Sequence, residues 1–227
     1  MARTVNPAAH ALRRDEFVDV ALRLIQTRGY EQLSIGDVLG ELGASKGAFY
    51  HYFDSKQSLL EAVVERITDT VDALVQPIVD DPALPALDKL QLFFSTVVRW
   101  KSERKDLLIG LLETWQSDDN AIVREKVLRS SVRRITPLIA RIVRQGMESG
   151  DFALAHPDAL AQVIVALVLE FGQANADLFL AYHAGEVDRD TVERTVATYS
   201  LSVERILGVT PGSLTLMDAE AVRVWFA

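Results

Sequence analysis

The chain of 227 residues has no cysteine, which excludes a disulfide framework, thiolate metal ligands and a cysteine nucleophile. Its four histidines, at 10, 51, 156 and 183, form no H-E-x-x-H motif and no short-spaced ligand cluster, so no metal site is expected. Gly36, Gly40 and Gly43 fit neither the dinucleotide nor the Walker spacing, which removes the usual phosphate-cradling loops. No cofactor is expected. The longest apolar run, Val163 to Leu169, is far short of the roughly 18 to 20 residues of a membrane span. Near the N-terminus, Asp15, Glu16, Asp19 and Arg23 interrupt any signal-peptide core. These absences favour the cytoplasm, with no membrane partner, and leave little for an enzyme to work with. Internal repeats and low-complexity segments are also missing.

What is present is a globular composition, 49% apolar and 25% charged, with a net charge of −8. The charge is unevenly distributed. Residues 1–57 hold seven Lys/Arg and seven Asp/Glu, so the whole excess of negative charge falls on residues 58–227. A neutral head on an acidic body is compatible with a polyanionic partner, because exposed charges act over only about 8 Å at physiological salt.

Apolar spacing is helical throughout, and the expected fold is all-α, a three-helix head followed by a helical bundle. Asn6-Pro7 is a plausible start for a helix to about Arg28, with Gly29 as its stop. Ser34 caps a second helix to Leu42, followed by Gly43, and Ser45 opens a short third helix to about Tyr52. Asp54 and Gln57 are spaced as a capping box for a long helix toward Val79 that Pro77 should bend or shorten. Further helices are expected near residues 85–103, 106–116, 120–149, 157–183 and 190–207. The tail from Ser213 to Ala227 is expected to dock on the body through a short helix bearing Val222, Trp225 and Phe226.

Gly43 to Gly47 satisfies G-x-S-x-G, the pattern of a hydrolase's nucleophile elbow around Ser45. That elbow needs a strand before the serine, whereas "SIGDVLGEL" has a helix period and contains Gly36, Asp37 and Gly40. Helix, glycine turn and short helix form instead a helix-turn-helix, whose second helix enters the DNA major groove. Lys46 is placed to reach a guanine edge and Ala48 a thymine methyl, with Gly47 small enough for close approach. Arg3, Arg13 and Arg14 are candidates for a minor-groove arm, or for a frayed terminus.

"ALRLIQTRGYEQLSIGDVLGELGASKGAFYHYFDSKQSLL", residues 21–60, resembles the DNA-binding domain of the tetracycline-repressor (TetR) family of transcriptional regulators. The matching features are Gly29-Tyr30, Gly43 before Ser45-Lys46-Gly47, then Tyr50, Phe53, Lys56 and Leu59. The resemblance implies phosphate contacts from Ser34, Tyr50, His51 and Lys56, and groove contacts from Ser45, Lys46 and Gly47. Gly36 departs from relatives that carry a long polar side chain there, so no base contact is expected from it. The expected domains are a DNA-binding head at 1–54, with the helix-turn-helix at about 34–53, and an effector-binding and dimerisation body at 55–227.

In the body, Leu160, Ile164, Leu167, Phe171, Ala174, Leu178 and Ala181 alternate spacings of four and three, as do Val192, Val196, Tyr199, Val203 and Ile206. Either a central buried helix or a homodimer explains such seams, and the resemblance implies the homodimer. It also implies a small-molecule effector, for which Phe94, Trp100, Trp115 and Phe171 are candidate walls and Glu113, Gln116, Glu170 and Gln173 candidate polar partners. The expected function is a repressor released from a pseudo-palindromic operator by that effector; the alternative is an all-helical protein-interaction module that does not bind DNA.

Overall fold

The computed structural model describes residues 7–153 and 156–227, and among them every regular element is helical. The ten α-helices are α1 Pro7–Arg28, α2 Ile35–Leu42, α3 Lys46–Tyr50, α4 Lys56–Asp80, α5 Ala86–Ser102, α6 Lys105–Gln116, α7 Ala121–Ser149, α8 Pro157–His183, α9 Arg189–Leu207 and α10 Ala219–Trp225. Glycines end several of them where a positive φ is required: 57° at Gly43 and 72° at Gly208. Asn6 and Arg3 lie outside the described residues. At the start of α4 the reciprocal cap is one residue later than expected. The amide of Ser58 bonds the Ser55 hydroxyl oxygen and the amide of Ser55 bonds that of Ser58, both at 3.1 Å, so Asp54 and Gln57 are not the box.

The chain packs as two compact units. The first comprises the residues up to Asp69 together with Arg104–Val127; the second comprises Thr70–Glu103 and Leu128–Ala227. The first unit is therefore larger than a head ending at residue 54. Its core joins Phe17, Ala21, Leu24 and Ile25 of α1 to Val38, Phe49, Phe53, Leu59, Leu60 and Val63, and also to Leu107 and Leu111 of α6 and Val123 of α7. Each fully buried side chain of this kind contributes about 1.5 to 3 kcal/mol over its exposed state. The α1–α6 contact is set by Gly110. The Tyr30 amide donates to its carbonyl at 3.2 Å, and a β-carbon there would stand 2.8 Å from the Ile25 carbonyl oxygen.

In the second unit α8 packs along α9, and Ala161, Ile164, Val165, Phe171, Val192, Val196, Val203 and Leu207 are buried. By length and composition alone, α8 is long and apolar enough to cross a membrane, although Glu170 interrupts its apolar run. The C-terminal tail docks as expected. Leu214, Leu216, Val222 and Phe226 are buried, the Leu214 amide donates to the buried Glu204 carboxylate at 2.8 Å, and Trp225 Nε1 donates to Ser102 Oγ at 3.0 Å. Lys89, also buried, caps the end of α4 by donating from Nζ to the Val79 carbonyl at 2.8 Å.

Candidate nucleic-acid interface

The turn between α2 and α3 is held at both ends by short-range bonds. Ser34 accepts the Asp37 amide at 3.1 Å while Asp37 accepts the Ser34 amide at 2.9 Å, a complete capping box. These bonds hold the Asp37 carboxyl below the usual range, with the Arg28 charge adding to the effect. At the other end of α2, the Ala44 amide reaches back to the Leu39 carbonyl at 3.0 Å across left-handed Gly43. Ser45 then caps α3 by accepting the Ala48 amide at 3.2 Å.

α3 is only five residues long, shorter than expected. It tightens into a turn in which the Tyr52 amide bonds the Phe49 carbonyl at 2.9 Å, which directs Phe53 back into the core. Phe17 holds this segment from α1, with ring centroids 5.8 Å from Phe49, 5.7 Å from Tyr52 and 6.1 Å from Phe53. With Phe49 and Phe53 inside, Ser45, Lys46, Gly47, Tyr50 and His51 remain exposed, and Tyr50 keeps 51% of its surface. A cation, a backbone without side chain and two hydrogen-bonding rings therefore share the open side of a rigidly mounted helix. That combination suits groove insertion with flanking phosphate contacts.

Three of the expected contact residues are placed differently. Ala48 is half-buried and packs on the core, so its methyl does not belong to the open side. The Ser34 hydroxyl donates to Asp37, which leaves it no proton for a phosphate while the cap is intact. Lys56 lies with Nζ 4.1 Å from the Tyr30 ring centre and donates to the Glu31 carbonyl at 3.3 Å. Burial lowers its pKa and pushes the Tyr30 hydroxyl up to about 12; the Glu31 bond and the Tyr30 ring tie Lys56 to the turn after α1 and occupy part of its donor capacity. Arg13 pairs with Glu16 and Arg14 with Glu65, which keeps both on the unit's own surface. Arg3 lies outside the described residues.

His10 did not emerge from the sequence as a site residue. Its ring centre stands 5.3 Å from that of His51 and 4.6 Å from that of Tyr52. The only sequence signal is its spacing from Arg13, Arg14 and Phe17, which places it on the α1 face that meets α3.

The expected effector residues divide between the units. Glu113, Trp115 and Gln116 belong to the first; Phe94, Trp100, Glu170, Phe171 and Gln173 belong to the second. The Glu113 side chain lies outside the described residues. Phe94, Trp100 and Phe171 are buried, whereas Glu170 is exposed to solvent and Gln173 bonds Asp177 at 3.3 Å. Solvent, not a partner in a cavity, accommodates the Glu170 charge.

The dimer seam also needs correction. Ile164, Phe171, Val192, Val196 and Val203 are buried within the unit itself, where Phe171 meets Tyr199 with ring centres 5.2 Å apart. Their burial within the unit leaves them closed to a second copy. Beside them, Leu160, Leu167, Ala174, Leu178 and Ala181 of α8 and Tyr199 and Ile206 of α9 are half-buried, and Val163 is 52% exposed.

Comparison with known proteins agrees with this geometry. Residues 17–63 match the family described as bacterial regulatory proteins, tetR family. The HTH-type transcriptional repressor KstR2 of Rhodococcus jostii (strain RHA1) is 29% identical over 194 residues, covering 80% of this chain and 86% of the relative. The HTH-type transcriptional repressor DhaR of Mycobacterium sp. (strain GP1) is 25% identical over 154 residues, covering 67% and 77%. A TetR transcription regulator from Haloarcula marismortui ATCC 43049 shares the fold, with a TM-score of 0.63, 16% identity and coverage of 87% of this chain and 97% of that one. The helix-turn-helix thus lies inside a segment, residues 17–63, that matches the tetR family of bacterial regulatory proteins, and the remaining helices share the fold of a solved TetR regulator.

Proposed function

We propose that the chain is a DNA-binding transcriptional repressor that acts as a homodimer in the cytoplasm and leaves a pseudo-palindromic operator when a small molecule binds its second unit. The observation that carries the reading is the exposed row Ser45, Lys46, Gly47, Tyr50 and His51 on a helix whose other side is fixed in an aromatic core. Lys46 reads a base edge, Gly47 allows close approach, and Tyr50 and His51 hold the backbone. The hydrolase reading of Ser45 gains nothing, since a helix precedes the residue and its hydroxyl oxygen is a cap.

Dimerisation uses the half-covered border of α8 and α9: Leu160, Val163, Leu167, Leu178, Tyr199 and Ile206. Two copies with recognition helices about 34 Å apart would meet successive major grooves. The effector is held among buried aromatic groups of the second unit, of which Phe94, Trp100 and Phe171 are the candidates. α4 and α7 each contribute residues to both units, so a ligand that repacks them in one unit has a covalent route to the other. Release requires that the ligand bind the two arrangements with different affinity.

Selection of bound sequences from a random duplex library tests the reading. The expected product is an inverted repeat, bound by the wild type and lost in Lys46→Ala at unchanged thermal stability. Recovery of no preferred sequence would reject it.

A further inference from the structure

We propose that His10 is a further DNA-backbone contact which acts as a pair with His51, and that the pair takes up a proton as a phosphate settles against it. The inference rests on the DNA-binding reading and adds to it a residue and a proton. Of four histidines in 227 residues, two meet at the rim of the exposed α3 surface. Their rings stand edge to face at 70°, and each also touches Tyr52, at 4.6 Å from His10 and 5.0 Å from His51. The position of His10 is built in. His10, Arg13, Arg14 and Phe17 share one face of α1, and Phe17 against Phe49, Tyr52 and Phe53 fixes that face over α3. His51 is exposed and His10 half-exposed. Among the described residues, no hydrogen bond or ion pair engages either imidazole.

The charged side chains on the surrounding elements cancel, so attraction for an anion has to come from the pair itself. α1 supplies Arg13, paired with Glu16, and Arg14, which lies over Phe53 and pairs with Glu65 of α4. The α3 segment supplies Lys46, Tyr50 and Tyr52, with Asp54 as its one carboxylate. Two neutral rings tolerate this spacing, whereas two imidazolium ions repel one another across it. A phosphate oxygen bridging them offsets the repulsion and gives each protonated nitrogen an acceptor. A protonated imidazole donates from both ring nitrogens, so a proton taken up with the phosphate completes the bridge, and binding should strengthen as pH falls through neutrality.

The experiment uses the full chain and a fluorescein-labelled duplex recovered by selection, with Kd measured from about pH 6 to about pH 8 at several salt concentrations. Wild type is expected to bind roughly three- to tenfold more tightly at the acid end, with a log Kd against log salt slope steeper by about one. His10→Phe keeps a ring against Tyr52 without a charge; it should lose most of that pH dependence and the extra salt slope. His10→Arg should bind tightly and independently of pH. Thermal unfolding shows that each variant is folded. A pH profile and slope of His10→Phe equal to wild type would overturn the role of His10 while leaving DNA binding intact. Equal affinity of wild type for selected and scrambled duplexes at every pH would overturn both.

Discussion

The α-carbon of Gly110 faces the end of α1 so closely that a β-carbon would lie 2.8 Å from the carbonyl oxygen of Ile25. The obstructing atom belongs to backbone, so neither helix can give way by a side-chain rotation. Gly110→Ala gains helix propensity of up to about 1 kcal/mol but must part α1 from α6, and a net destabilisation of about 1–3 kcal/mol is expected. Urea unfolding of the purified variant measures it. A midpoint at or above that of wild type would show that α1 and α6 are not in this contact.

Ser45 separates capping from charge. Ser45→Ala removes the acceptor of the Ala48 amide and should cost about 1 kcal/mol. Ser45→Asp keeps an acceptor and should be nearly as stable as wild type, yet it places an anion where DNA phosphate approaches. The expected result is a stable protein with lost duplex binding, read by thermal unfolding alongside fluorescence anisotropy.

The border of α8 makes a prediction about assembly. Val163 is 52% exposed, so a charge there can reach solvent in the single chain. Val163→Glu should therefore leave helicity unchanged, convert a dimer to monomer in sedimentation equilibrium, and weaken operator binding because each half-site is then held alone. Persistence of the dimer would place the interface on another face.

Asp37 links the turn to pH. Its carboxyl titrates below the usual range because Ser34 donates to it, so its stabilising effect is complete above the unfolded value near ~3.9 and disappears as pH falls through the folded value. Thermal midpoints of wild type and Asp37→Asn should differ at neutral pH and converge in acid. A constant gap across that range would show that the capping bonds do not depend on the charge.

Helix ends were readable in the sequence because their signals are local. Gly43 and Gly208 adopt the left-handed conformation that only glycine enters freely, and Ser34 and Ser45 cap where their spacing to the following helix says they should. Errors of one residue arose where two local solutions compete, as with Asp54–Gln57 against Ser55–Ser58 at the start of α4. The membership of α6 in the first unit was not readable. It depends on contacts such as Thr114 Oγ1 donating to Glu31 at 3.2 Å, between residues 83 positions apart, and on a glycine whose role appears only when α1 lies against it. The site divides the same way. Lys46, Tyr50 and His51 follow from the motif, while the burial of Ala48, the tether on Lys56 and the approach of His10 to His51 follow from packing. The α8 seam was legible as apolar but not as inward- or border-facing, because Ile164 and Leu167 look alike until α9 covers one of them.

The interleaving of the first unit, residues up to Asp69 and then Arg104–Val127, has a consequence for how the protein is made. During translation the nascent chain cannot close that core when α3 leaves the ribosome, because Leu107, Leu111 and Val123 are still unsynthesised. A fragment truncated after the recognition helix would accordingly emerge with an open hydrophobic flank, prone to chaperone capture or self-association. A circular permutant that begins at residue 104 and joins its old termini would instead deliver the missing helix first.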